Sequence, residues 1–434
     1  MTKKILWVVP LMMLFGSALF AQDIVGDWQG KVGRQESRIV LQIANGDSGG
    51  WSGKFYSIDF GPDATPISSV MLQGSKLTFA VERIGGTYEG TLSVDGMSIQ
   101  GTWTQGEAVP LNFQRATKET AWRIDSSPHS VQFVAVDDNV KLEVLDWGGS
   151  GRPLVLLAGL GNTAHIFDRF APKLTPTYHV YGITRRGFGA SSAPVPANNN
   201  YSADRLGDDV LAALDALRLN HPVLIGHSIA GEELSSVGTR HPEKVAGLVY
   251  LDAGYPYAFY DRSHGDLTID SLELRKELEQ LENIRYGVPG VGPLGQEPLI
   301  QELLQTTLPQ VEKDLQHQLK WLQVAPPSSG GGSLSPVNLA ILAGAEKYTD
   351  IRVPVLAFFA FPQDLAPTVF ADDPAARARL EALNLADRDA QIKAFQGGIP
   401  SAHVVRLPHA NHFLFITNEA GVLREMNAFL EKLP

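Results

Sequence analysis

The segment Pro222-Val223-Leu224-Ile225-Gly226-His227-Ser228-Ile229-Ala230-Gly231 constrains what this chain can fold into more than any other. Its first four residues are apolar without alternation, the mark of a strand covered on both faces. Glu232 to Thr239 follow as a helix-forming stretch. Between strand and helix stand only a few residues, so the turn is very tight. Side chains two before and two after Ser228 would collide there, and those positions hold Gly226 and Ala230, the second only a methyl larger than glycine. Such a turn lifts the serine hydroxyl out of the chain and sets it at a helix N-terminus, where developing negative charge is favoured.

The neighbouring sequence repeats the buried-strand signal. Val131 to Val136 and Val140 to Trp147 alternate, as at a sheet edge. Arg152 to Ala158, Tyr178 to Thr184, Lys244 to Leu251 and Val353 to Phe361 are short and almost wholly apolar. Helical stripes lie between them: Leu206, Val210, Ala213, Leu214 and Leu217 after the N-cap candidate Ser202, and Val422, Met426, Phe429 and Leu430 at the end. Alternating strands and helices give an α/β fold with a mostly parallel sheet, covered by helices on both faces, over residues 129–434. The alternation stops between about 255 and 350. There Leu274, Leu278 and Leu281, then Leu304, Leu308, Val311, Leu315, Leu319 and Leu322, keep helical spacing, and a Gly/Ser-rich loop from Pro326 to Pro336 follows. This predicts a helical lid inserted between two strands.

Residues 22–117 read differently. Ile39, Leu41 and Ile43 alternate with polar neighbours, as do Leu77, Phe79 and Val81, and turns such as Asn45-Gly46-Asp47, Gly61-Pro62-Asp63, Gly85-Gly86 and Asp95-Gly96 separate the runs. Short strands at near-regular spacing predict a separate all-β barrel or sandwich, joined to the second domain by a linker over 118–128. Gly26-Asp27-Trp28-Gln29-Gly30, echoed by Gly101-Thr102-Trp103, resembles the glycine–tryptophan opening of lipocalin-like barrels; the plainer role for both tryptophans is to plug a barrel end. Ahead of this region, Lys3 and Lys4 precede an apolar stretch from Ile5 to Phe15, and small residues lead to Ala21. That order predicts a secretory signal peptide over 1–21 and an exported, periplasmic or secreted protein. The stretch is short for a membrane span, which needs about 20 apolar residues, and no later segment is long and apolar enough to span.

Composition removes several alternatives. The chain has no cysteine, which excludes disulfides, a thiol nucleophile and a cysteine zinc site. Its net charge is −11 and no long basic run is present, which argues against a nucleic-acid partner. No metal-binding or cofactor motif is visible.

The segment around Ser228 resembles the nucleophile elbow, G-x-S-x-G, of the α/β-hydrolase superfamily, and four further landmarks in chain order make the resemblance cover about Val131 to Pro434. Arg185-Arg186-Gly187-Phe188-Gly189-Ala190-Ser191 matches the family's R-G-x-G-x-S stretch, its glycines suited to a turn. The loop Ala158-Gly159-Leu160-Gly161-Asn162 stands where relatives often carry His-Gly. The resemblance implies Ser228 as nucleophile and His412 as its base, with His409 the competitor three residues earlier. It implies Asp364, the first carboxylate after Val353 to Phe361, as the acid, with Asp252 at the end of the preceding strand as the alternative. The oxyanion donors it implies are the backbone N–H groups of Ile229 and Leu160. The activity implied is hydrolysis of small or medium carboxylic esters through an acyl-enzyme. A lactonase, aminopeptidase or C–C hydrolase on the same triad, and a non-catalytic binding protein on this scaffold, are the alternatives. Epoxide hydrolases and haloalkane dehalogenases are disfavoured, because those relatives place an aspartate where Ser228 stands. Tyr255, Tyr257, Phe259 and Tyr260, at the start of the lid, either line an apolar pocket or form lid core.

Overall fold

The computed structural model describes residues 23–33, 37–46, 49–60, 64–105, 107–125, 127–285, 296–324, 334–363 and 373–434. The leader expected over 1–21, the turn at 61–63 and most of the loop from 326 to 336 lie outside the described residues.

The first sheet has nine antiparallel strands: β1 (Gly26–Val32), β2 (Ser37–Asn45), β3 (Trp51–Ser57), β4 (Thr65–Pro66), β5 (Ser69–Gln73), β6 (Lys76–Val81), β7 (Gly86–Leu92), β8 (Ser98–Gln105) and β9 (Glu107–Arg115). Their order is β4-β3-β2-β1-β9-β8-β7-β6-β5. The first and last strands therefore pair in the middle, and the two edges, β4 and β5, are consecutive in the chain. The sheet curls until β3 meets β5, and Ile67, just past β4, extends the β3–β4 ladder by donating its N–H to Gly53 at 3.0 Å. Inward side chains fill the interior. Trp28 is fully buried, donates to the Ile24 carbonyl and is covered by the Arg115 guanidinium at 4.3 Å, while Trp103 stacks on Phe55 with ring centres 4.9 Å apart. Both tryptophans are core plugs, each with its N–H satisfied as burial demands.

The second sheet holds β10 (Ser130–Asp137), β11 (Val140–Gly148), β12 (Pro153–Leu157), β13 (His179–Ile183), β14 (Val223–His227), β15 (Gly247–Leu251), β16 (Val355–Ala360) and β17 (Ala402–Leu407). Its order is β10-β11-β13-β12-β14-β15-β16-β17, antiparallel at the β10-β11-β13 end and parallel from β13 to β17. Alternate residues of each central strand enter two different cores. Val155, Leu224 and Tyr250 face α1 (Ala203–Ala216) and α2 (Gly231–Arg240). Leu154, Ile225 and Val249 face the opposite side, where the C-terminal helix brings Val422 and Met426. This is why the strands read as unbroken apolar runs. Ser202 caps α1 through its side chain.

Between β15 and β16 lie α3 (Leu267–Arg285), α4 (Gln296–Glu302), α5 (Leu308–Val324) and α6 (Pro336–Leu342); α4 passes through one π-helical turn into α5. The long α7 (Pro374–Gly398) precedes β17, and α8 (Leu414–Thr417) and α9 (Glu419–Leu430) end the chain. The leucine stripe expected to face the core of the lid does so only in part. Leu303 and Val311 are buried, whereas Leu304, Leu308, Leu315, Leu319 and Leu322 are exposed. A layer made of α3, α5 and α7 has one inner face, and α5 turns Val311 and Asp314 towards it. No helix among the described residues is long and apolar enough to cross a membrane.

The two domains touch through charge and ring contacts. Asp59, just after β3, accepts from Arg38 of its own domain and from Arg169 of the other at 3.0 Å. Phe60 packs edge-on against Phe413 at 5.5 Å. The linker is also tied at both ends, by Trp122 N–H to Gln29 and by the Trp147 indole to Ser127. Replacing Trp28 by alanine removes the largest buried ring of the β domain. The expected cost is about 3–5 kcal/mol, read as a lower urea midpoint for that domain with the second domain's transition unmoved.

Candidate active site

Strand order decides where a site can form. From β12 the chain crosses to β13 on one side, while β14 lies on the other, so the order reverses between β12 and β14. In sheets of this kind a crevice opens at the carboxyl ends of the strands at that point. The loop after β12 and the turn after β14 meet there. Ser228 has φ of 55°, in the left-handed region that costs a non-glycine residue energy. Gly226 allows that turn, since a Cβ there would lie 2.6 Å from Leu234 Cδ1 and 3.1 Å from Ala230 Cβ. Ala230 is accommodated because the position facing it is glycine. Gly159 lies against the other side: its absent Cβ would sit 3.1 Å from Ser228 Cβ and 2.9 Å from His227 Nδ1. Leu160 packs in the same apolar cluster as Ile229. The two residues expected to offer backbone donors thus flank the serine.

His412 lies in the loop between β17 and α8, with Nδ1 2.8 Å from Asp252 Oδ2. Asp252 follows β15 directly, has φ of 46° and is completely buried. Its other oxygen accepts from the Ala360 N–H and from Arg388 of α7, each at 3.1 Å. Burial alone would raise its carboxyl; the His412 bond, the Arg388 charge and the Ala360 N–H together hold it below the ordinary carboxylate range. The carboxylate on His412 is Asp252, the alternative that the sequence offered; Asp364, the preferred acid, lies outside the described residues. β15 neighbours β14 in the sheet, so the strand end that bears Asp252 lies beside the strand end that bears Ser228. His409 is exposed, its N–H bonded to the Pro362 carbonyl.

Several residues at the site were not singled out from the sequence. His227 is buried, and its Nε2 bonds the His412 carbonyl at 3.0 Å, tying the histidine loop to the end of β14. Burial, with His412 nearby, lowers its pKa to about 3, so the ring is neutral and donates from Nε2. Phe413 packs on His227 at 4.9 Å and carries Phe60 of the β domain on its other side. Arg388 also bonds the Tyr255 hydroxyl, which itself donates to Asp252 at 3.2 Å. The only signal for Arg388 in sequence is an arginine on a helix, which is ordinarily a solvated charge. Arg185, read as part of a turn, pairs with Glu233 and donates to the Ala158 carbonyl at 3.0 Å, bracing the loop that bears Leu160.

The four lid aromatics divide. Tyr257 packs against the apolar cluster that holds Ile229, and burial pushes its hydroxyl far above its ordinary pKa. Tyr255 serves Asp252, while Phe259 and Tyr260 are buried in packing. A cavity of about 670 Å³ opens among α3, α5 and α7, lined by Tyr255, His264, Asp314, Trp321, Asp387 and Arg388; Ser228 is not among its walls. Arg388 and Tyr255 stand between that cavity and Asp252.

Residues 152–289 match the family model described as alpha/beta hydrolase fold. Among curated proteins, a fluoroacetate dehalogenase from a Burkholderia species is 34% identical over 116 residues, which is 26% of this chain and 38% of that protein. A 2-hydroxymuconate semialdehyde hydrolase from a Pseudomonas species is 34% identical over 106 residues, 24% of this chain and 37% of that one. The matched stretches thus span under two-fifths of those relatives. Among solved structures, a bromoperoxidase from Bacillus anthracis aligns over 70% of this chain and 100% of its own at 20% identity, with a TM-score of 0.42.

Two measurements probe the buried charges. Arg388→Met leaves Asp252 buried beside a weaker set of partners and should cost about 3–5 kcal/mol near neutral pH. Because Asp252's folded pKa is depressed, the arginine's contribution is present above the unfolded aspartate value and lost as pH falls through the folded one. The urea midpoints of variant and parent should therefore converge in acid. Glu232, fully buried in α2, has neither carboxyl oxygen hydrogen-bonded within the described residues, and burial raises its pKa well above normal. The folded chain keeps that proton while the unfolded chain loses it above about pH 4.3, so stability falls as pH rises. Glu232→Gln should raise the melting temperature at pH 8, with the gain vanishing near pH 4.

Proposed function

We propose that this chain, which belongs to the α/β-hydrolase superfamily, is a serine hydrolase that cleaves carboxylic esters of small or medium size through an acyl-enzyme on Ser228. The observation that carries the reading is the 2.8 Å bond between His412 Nδ1 and the buried Asp252, on a loop tied by His227 to the strand that bears the strained serine.

Each step follows from a named group. Ser228 Oγ attacks the substrate carbonyl carbon while His412 Nε2 takes its proton. Asp252 holds Nδ1 protonated, so that Nε2 is the free base, and its charge favours the imidazolium that forms. Negative charge on the carbonyl oxygen meets the N–H groups of Ile229 and Leu160. His412 then gives its proton to the leaving oxygen, the alcohol departs, and a water deprotonated by the same nitrogen releases the acid.

The serine also argues against the chemistry named for the dehalogenase relative. Displacement at a saturated carbon by Ser228 would leave an ether, which a base and water do not hydrolyse, whereas attack at a carbonyl leaves an ester, which they do.

A fluorophosphonate probe should label Ser228 in the folded protein and fail on Ser228→Ala; absence of an adduct on the parent protein removes the reading. With p-nitrophenyl esters of rising chain length, Asp252→Asn should lower kcat by about 10⁴, and Asp364→Asn should leave it within a few-fold. Lactones and amides assayed beside the esters separate the ester reading from the other hydrolyses this triad supports.

A further inference from the structure

Away from Ser228, two imidazoles and three carboxylates converge where the linker meets the second domain. Asp125 and His129 come from the chain leading into β10, Glu143 from β11, and His165 and Asp168 from the short helical turn after the Gly159–Asn162 loop. One donor atom from each of Asp125, His129 and His165 lies within 4.8 Å of the others. Asp168 faces both rings on the same side, Oδ1 2.9 Å from His129 Nδ1 and Oδ2 3.0 Å from His165 Nδ1. The Trp147 indole donates to it as well, at 3.1 Å.

That leaves the two Nε2 atoms. His129 Nε2 stands 3.5 Å from Asp125 Oδ2, and His165 Nε2 stands 3.6 Å from Glu143 Oε1. These separations are too long for good N–H···O bonds, which centre near 2.9 Å. They are close to the spacing of about 3.4 Å between two donors that each sit about 2.1 Å from one tetrahedral ion. The His129 side chain is only 3% exposed, and its Nδ1, though near Asp168, has no hydrogen bond of acceptable angle. Glu143 is steadied by the Thr184 hydroxyl on its other oxygen at 2.7 Å. A carboxylate bonded behind an imidazole, as Asp168 is behind His165, is also what orients histidine ligands in metal sites.

We propose that Asp125, His129 and His165 form a site for a divalent transition metal of the zinc class, with Asp168 behind the two imidazoles and Glu143 flanking His165. Mixed imidazole and carboxylate donors suit such ions. The ion would pin the linker to the turn that follows the oxyanion loop, staking the β domain's attachment beside the site without taking part in the chemistry there. The sequence conceals the set because its ligands come from separate stretches with no metal-motif spacing.

The test uses the full chain, stripped with a chelator and titrated with Zn²⁺ by calorimetry and with Co²⁺ by visible absorption. One equivalent of each should bind, Co²⁺ should develop the intense bands of a tetrahedral site, and Zn²⁺ should raise the melting temperature. His129→Ala should abolish saturable binding, and Asp168→Asn should weaken it about 10–100-fold. Asp125→Asn, at the most exposed ligand, gives a reading if the others fail to fold and should weaken binding at least about 10-fold. No saturable binding to the parent chain overturns the proposal and leaves a plain ion-pair network. So does binding whose affinity is unchanged in the folded variants.

Discussion

Asp252 is a charge with no contact with water, and a buried carboxylate persists only when donors surround it. Its donors come from four places: the Ala360 N–H at the end of β16, Arg388 of α7, the Tyr255 hydroxyl at the start of the lid, and His412 after β17. Satisfying one carboxylate therefore draws together segments separated by more than a hundred residues. The same requirement holds the His412 ring by its Nδ1. Stability and the proposed chemistry rest here on one set of hydrogen bonds.

Around that centre, strain and bracing are balanced. Ser228 and Asp252 both occupy left-handed backbone conformations at the ends of adjacent parallel strands. Such conformations persist where the surroundings over-determine them, and the surroundings here are close. Gly226 and Gly159 leave no space for a side chain, His227 ties the histidine loop to β14, and the Arg185–Glu233 pair holds the Ala158 carbonyl. The β domain takes part as well, since Phe60 closes the outer face of Phe413, whose inner face packs on His227.

Much of this was legible in residue order. Apolar runs of unbroken character mark strands covered on both faces, and Gly226 and Ala230 around Ser228 mark a turn that tolerates nothing larger. The alternating strands of the first hundred residues likewise mark an antiparallel sheet, whose chain ends meet in β1 and β9. The leucines of α5 were less informative. Helical spacing identifies a stripe, but whether the stripe is covered depends on how many layers pack against it, and Leu315, Leu319 and Leu322 remain in solvent.

Local physics thus determined the strand–turn–helix at Ser228, the α/β alternation and the histidine loop after the last strand, because each depends on residues adjacent in the chain. Tertiary structure alone brought Asp252 to His412, because the two are 160 residues apart on different elements and neither local stretch names the other. It also decided the roles of Arg388 and His227, whose partners lie on other elements. A side chain's chemistry is read from the sequence; what it faces is set by the order in which strands are laid side by side.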